Sequence, residues 1–213
     1  MRTIMVRDAG GGPPDPRPRY HGGMARDALK PGRGVLLVAR PELNDPNFAR
    51  TVVLLCDHDD GEGTLGFVLN RPSPSTLSEI LQGDTEFRGR DDRVFLGGPV
   101  ATSSLAIVHR EEGLPGAQAI LPGVFLGGEV AALGERLRAK TVTGSALRFL
   151  VGYAGWGKGQ LRREMEEDTW LVCPARPEWI FDAEPETLWR RVLRTIPGGA
   201  GPAAHMPADP EMN

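Results

Sequence analysis

Apolar positions along this chain fall in short runs rather than in long one-sided stripes. Val35-Leu36-Leu37-Val38-Ala39 follows Gly34 and ends before Pro41, Thr51–Cys56 is β-branched and aliphatic, and Thr64–Asn70 reads TLGFVLN. Runs of this length, bounded by Gly, Pro, Asn and Asp, predict strands. The second and third are joined by Asp57–Gly63 (DHDDGEG), turn chemistry that predicts a β-hairpin. Between the first two runs, residues 41–50 (PELNDPNFAR) form a loop that ends in one helical turn at Phe48. Further strands are predicted at Val94–Leu96, at Leu105–His109, in a hairpin of Ala119–Leu121 with Val124–Leu126, at Ala146–Tyr153 (ALRFLVGY) and at Trp170–Cys173.

Helical spacing appears in four places. Pro72-Ser73-Pro74-Ser75 breaks the strand pattern, Ser75 or Thr76 can cap, and Leu77, Ile80 and Leu81 then share a face. Residues 82–93 are polar and read as a surface loop. Glu129–Ala139 aligns Val130, Leu133 and Leu137, with basic residues at its end as the helix dipole favours. Gln160–Glu167 keeps Leu161 and Met165 four apart. Pro185–Ile196 opens on proline and acids and carries Leu188, Trp189, Val192, Leu193 and Ile196. Strands outnumber helices, hairpins mix with crossovers, and neither a regular βαβ alternation nor an internal repeat is present. The pattern predicts a single α+β domain, a mixed and largely antiparallel β-sheet flanked by helices.

Composition places the boundaries. The chain has 213 residues, 28 of them glycine and 19 proline, and much of that excess lies in residues 8–34 and 197–213, which are poor in apolar residues. Such stretches cannot bury enough surface to offset the entropy of ordering. They predict disordered tails at 1–32 and 197–213 around a domain at 33–196. Formal charge is −3, and the paired arginines at 162–163 and 190–191 sit on helices that also carry acids. With no basic stripe and no helix-turn-helix pattern, direct nucleic-acid binding is not expected. No apolar run reaches the ~20 residues that span a bilayer, and Met1–Arg7 lacks the apolar core of a signal peptide, so the expected location is cytoplasmic. Cys56 and Cys173 lie in apolar runs without metal-ligand spacing and read as buried hydrophobes in a reducing compartment.

Chemistry is sparse. In Gly152–Gln160 (GYAGWGKGQ) a strand ends, Gly155, Gly157 and Gly159 alternate, and a helix begins. Glycines there permit close backbone approach, helix-start amides favour an anion, Lys158 adds charge and Trp156 an aromatic face. An equally open reading is a turn for tight strand–helix packing with Trp156 filling a gap. The spacing fits neither GxxxxGK[ST] nor GxGxxG. Phe95–Val100 (FLGGPV) is a second glycine-rich strand end, a candidate crevice or a stiffened turn. Asp57–Glu62 fails the EF-hand pattern, since Gly61 takes a ligand position and Val68 replaces the closing Glu, and it reads as a solvated hairpin turn with no metal. No G-x-S-x-G occurs, Ser103 and Ser104 have no identifiable partner, and His109 reads as a surface residue at a strand end. The catalytic residues, if there are any, are unknown.

Taken together, PELNDPNFARTVVLLCDHDDGEGTLGFVLNRP, FLGGPV and GYAGWGKGQLRREMEEDTWLV resemble, in order and approximate spacing, the AlgH/YqgE-like family of bacterial proteins, over about residues 33–195. The resemblance implies an α+β fold with a mixed sheet, a cytoplasmic location and no known cofactor. The family's regulator label derives from a proposed role in alginate gene expression. Its characteristic positions correspond here to Asn44, Phe48, Asn70, Arg71, Pro72, Gly97, Gly98, Pro99, Gly155, Trp156, Gly157 and Gln160, and no catalytic role comes with them. Lys158 departs from relatives that often carry proline or alanine. These residues, with Lys158 and without Pro72, form the candidate ligand-binding set. The expectation is a binding or regulatory module acting through a small anionic ligand or a protein partner, of unknown oligomeric state. The alternative is an enzyme acting on a small anionic metabolite at loop 155–160.

Overall fold

The structure, a computed structural model, describes residues 29–197 apart from 82–86, 88 and 89. Most of the two predicted tails therefore lies outside the described residues.

A 10-stranded sheet runs in the order β10-β1-β2-β3-β9-β6-β8-β7, with β4 on β5 and β5 on β9. Its strands are β1 (Val35–Ala39), β2 (Val52–Asp59), β3 (Gly63–Val68), β4 (Pro72–Thr76), β5 (Arg93–Leu96), β6 (Val100–His109), β7 (Ala117–Leu121), β8 (Val124–Gly127), β9 (Leu147–Trp156) and β10 (Trp170–Pro174). Only β5 with β9 is parallel, and every other pair is antiparallel, so the sheet is mixed and largely antiparallel as the sequence predicts. The helices are α1 (Leu77–Ile80), α2 (Val130–Arg138), α3 (Gln160–Glu166), α4 (Pro177–Ile180) and α5 (Pro185–Leu193).

Burial alternates along the strands between two sides that are both covered. Leu36, Val38, Leu54, Cys56, Ala106, Val108 and Leu150 face one core, closed by Leu188, Trp189, Val192 and Leu193 of α5. Leu37, Ala39, Val53, Leu55 and Val68 face a second core beneath Leu161 of α3. Leu105, Ile107, Leu147 and Phe149 face a third beneath Leu133 and Leu137 of α2. Strands covered on both faces are apolar at successive positions, which is why VLLVA and VVLLC read as unbroken runs. Each fully buried Leu or Val contributes about 1.5–3 kcal/mol. Trp189 adds a polar anchor, its indole N–H donating to the carbonyl of Ala39 at 2.8 Å. The sheet curls so that Gly34, before β1, lies against the carbonyl of Ile120 in β7.

Several elements differ from the sequence reading. Pro72–Ser75 does not break the sheet: it forms β4, pairing Pro72 with Phe95 and Thr76 with Arg93. Proline is tolerated in such a position because an edge strand leaves N–H groups unpaired. Strand β2 runs on to Asp59, and β9 runs through Gly155 to Trp156, so half of the expected glycine loop is strand. His109 is not at the surface: it is fully buried at the end of β6. Its Nε2 sits 3.0 Å from the carbonyl of Gly127 and its Nδ1 accepts the amide of Glu111 at 3.1 Å, an arrangement that suits a neutral ring. Helix α4 was not anticipated, because one turn is too short to show periodicity. No helix among the described residues is long and apolar enough to cross a membrane.

Candidate functional site

Strand β9 crosses the middle of the sheet and changes partners on the way. Its first half pairs with β5 and β6, and its second half pairs Ala154, Gly155 and Trp156 with Gly66, Leu65 and Thr64 of β3. The change occurs at Gly152, whose φ is +70°. There β9 meets the FLGGPV segment backbone to backbone. A Cβ on Gly97 would strike the carbonyl of Gly152, one on Gly98 would strike the Tyr153 carbonyl group, and one on Gly152 would strike the carbonyl of Gly98. Gly97 is also bonded on both sides, its N–H donating to Val151 and its carbonyl accepting from Val68, each at 2.8 Å. These glycines let two chain segments touch. Beside them β6 advances from Val100 to Leu105 while β9 retreats only from Tyr153 to Val151, so residues 101–103 protrude and are exposed.

The predicted site residues divide into separate groups. Asn70 is a brace: its Oδ1 accepts the amide of Val52 at 2.8 Å and its Nδ2 donates to the carbonyl of Arg50 at 2.9 Å, fixing a residue with φ of +57°. Arg71 donates to the carbonyl of Ala49 at 3.3 Å, and burial lowers its pKa from the usual arginine range. Both hold the loop before β2. Asn44 is exposed on that loop, as is Pro99 elsewhere.

Phe48, Trp156, Gly157 and Gln160 do converge, on residues the sequence reading missed. Trp156 is only 4% exposed and packs in the core under α3. Its ring stacks on Phe48 at 6.0 Å and meets Trp170 edge-on at 6.1 Å. The carboxylate of Glu164 takes the indole N–H of Trp156 and the amide of Gln160, while the Gln160 carbonyl oxygen takes the N–H of Gly157 at 3.1 Å. Glu164 was legible as i+4 from Gln160, but Trp170, six residues beyond Glu164, lies past the end of α3 at the start of β10, where helical spacing gives no signal.

Backbone and side-chain bonds within the chain also occupy three of the amides that an anion at 155–160 would use. Gly157 N–H goes to Gln160, Gly159 N–H to the carbonyl of Asp60 at 3.1 Å, and Gln160 N–H to the carbonyl of Gly157 at 2.9 Å. Gly159 is left-handed at φ +65°, and α3 has only 7 residues. Lys158 remains, exposed and without an ion pair among the described residues.

A hollow lies beside this network, between the β2–β3 hairpin and the meeting of β6 with β9. It encloses about 590 Å³, and of the predicted residues only Gly155 and Trp156 border it. Asp57, Asp59, Glu62 and Leu65 of the hairpin line it together with Val100 of β6 and Tyr153 of β9. Val100 is 37% exposed. Asp59 braces the hairpin turn through the amides of Gly61 and Glu62, and Asp57 receives the guanidinium of Arg33 at 3.1 Å. Among the described residues no three His, Cys, Asp or Glu side chains converge as a metal site would need.

The AlgH-like family model matches residues 36–200. A UPF0301 protein of Chlorobaculum tepidum is 38% identical over 188 residues, covering 88% of this chain and 97% of that one. One from Streptomyces coelicolor is 43% identical over 185 residues, covering 84% and 94%. A protein of Corynebacterium diphtheriae solved by crystallography shares the fold, with a TM-score of 0.68, 23% identity, and coverage of 84% of this chain and 92% of that chain. The AlgH protein of Pseudomonas aeruginosa, solved in solution, superposes with a TM-score of 0.61 at 30% identity, covering 82% and 91%. A family model that matches most of the chain, and relatives 38% and 43% identical over most of both lengths, lead to one assignment: this chain belongs to the AlgH-like family.

Proposed function

We propose that this protein is a binding module of regulatory type, and that the hollow between the β2–β3 hairpin and the start of β6 takes a cationic and partly apolar segment of a protein partner. The observation that carries this reading is the lining: carboxylates of Asp57, Asp59 and Glu62 share the hollow with the apolar surfaces of Leu65, Val100 and Tyr153. One of those carboxylates already holds a guanidinium, that of Arg33. Opposed potentials steer encounter and select partners, and an anion entering here would meet like charge.

A photo-crosslinking residue at position 62 or 100, in cells, tests the reading. Capture of one discrete partner from both positions, lost when Glu62→Lys is added to the position-100 protein, is the expected result. The absence of any discrete product from either position would overturn it. The enzymatic alternative on an anionic metabolite draws its support chiefly from Lys158, because the amides of Gly157, Gly159 and Gln160 are engaged within the chain.

A further inference from the structure

A second hollow, far simpler in its chemistry, opens where β9 begins. It encloses about 230 Å³, and its lining includes Arg93, Phe95, Ser145, Arg148 and Asp182. Arg148 is 3% exposed, a charged side chain on a core-facing position of β9 opposite Val108. Its guanidinium donates to the carbonyl of Leu69 at 2.9 Å and to that of Asp182 at 2.7 Å, and lies over the ring of Phe95 at 3.9 Å from the centroid.

No carboxylate among the described residues pairs with it. Both acids of the hollow are engaged by other arginines. Asp92 is held by Arg90 at 2.6 and 2.8 Å. Asp182 is held by Arg191 at 2.7 and 3.0 Å, and its Oδ1 also caps the amide of Glu184. Arg93 stands at the rim in an exposed pair with Glu186 at 3.3 Å. A guanidinium has five donors in a planar fork, and backbone carbonyls use two of those on Arg148. Burial lowers its pKa to about 10, which leaves it charged at neutral pH. The nearby Asp182 carboxylate offsets part of the cost of burying this charge. It is shared with Arg191 and makes no ion pair with Arg148 among the described residues, and direct pairing would relieve more of that cost.

We propose that this hollow is a binding site for a small oxyanion, a carboxylate or phosphate group, anchored by Arg148 and screened at its mouth by Arg93. The guanidinium fork matches two oxygens of either group. The site lies apart from the acidic hollow and does not depend on the function proposed for it.

The test is an NMR titration of the full ¹⁵N-labelled chain, following the Nε–H signal of Arg148, with inorganic phosphate, sodium acetate and sodium chloride at matched ionic strength. A saturating shift with phosphate or acetate, and none with chloride, is expected. Saturation by phosphate alone makes the ligand group a phosphate, and saturation by acetate alone makes it a carboxylate. Arg93→Gln, an exposed change that leaves the fold intact, should weaken the apparent Kd by about threefold to tenfold. Equal linear drift in all three salts would overturn the site, as would saturation that Arg93→Gln leaves unchanged.

Discussion

Trp156 and Trp170 donate their indole N–H groups to the same oxygen of Glu164, each at 2.8 Å. One ends β9 and the other begins β10, so a single carboxylate ties together two strands that are not neighbours in the sheet. Phe48 closes the group by stacking on the first ring and meeting the second edge-on. Phe48 and Trp156, two of the candidate ligand-binding residues, thereby have a structural role.

Glu164→Ala would leave two largely buried indole donors without an acceptor. A stability loss of roughly 2–4 kcal/mol is expected from the unmet donors, read by urea denaturation. Glu164→Gln should cost less, since its amide oxygen still accepts. A loss below about 1 kcal/mol for alanine would show that water replaces the carboxylate at no penalty.

Gly98→Ala and Gly152→Ala should each prevent stable folding or cost more than about 3 kcal/mol, because the new methyl meets backbone that cannot rotate away. Gly98 has φ of +152° and Gly152 φ of +70°. Gly123→Ala is the control: φ is +73° but nothing lies within 4 Å of its Cβ position, so only the backbone term of roughly 1 kcal/mol remains. Thermal unfolding of the three variants separates packing from backbone strain.

His109 gives the fold a pH dependence whose sign is determined. Burial, the largest cause, lowers its folded pKa below the usual 6.5, and nearby Arg136 lowers it further while Gly127 and Glu111 act the other way. The unfolded chain therefore takes up the proton first. The contribution of the neutral ring is complete above about pH 6.5 and is lost as pH falls from there towards the folded value. Stability measured at pH 7.5 and 5.5 should drop less in His109→Gln than in the parent. An identical drop in both proteins would contradict the assignment.

Cys56 and Cys173 should resist thiol reagents until the protein unfolds. Desolvation raises the Cys56 thiol far above its ordinary range and pushes Cys173 up to about 11, leaving little thiolate at neutral pH. Labelling with a chromogenic disulfide should track unfolding by denaturant. Rapid labelling of the native protein would contradict the buried placement.

Lys158→Ala should change stability by less than about 0.5 kcal/mol, being exposed and without an ion pair among the described residues. Turnover of any anionic metabolite that survives this substitution would remove the remaining support for catalysis at 155–160.

Much of the architecture was legible in residue order. The unbroken runs VLLVA and VVLLC announced strands covered on both faces, DHDDGEG announced the hairpin turn, and α5 showed itself through Leu188, Trp189, Val192 and Leu193 at helical spacing. These signals are local: a few neighbouring side chains decide whether a segment can bury one face or two. Strand β4 was hidden because proline there is acceptable only once β5 has been placed beside it.

The site was less legible, because partners are chosen across the sheet. Residue order alone determined most of the strands and helices, the position of the glycine-rich segments, and the family resemblance. Tertiary structure alone decided that Trp156 turns inward to Glu164, that Asp57 and Glu62 share a hollow with Val100, and that Arg148 is buried on two backbone carbonyls. The physical reason is range. Backbone preference and hydrophobic period act over a few residues, whereas burial, ion pairing and cavity shape depend on contacts between residues far apart in the chain, set by strand register and by the curl of the sheet.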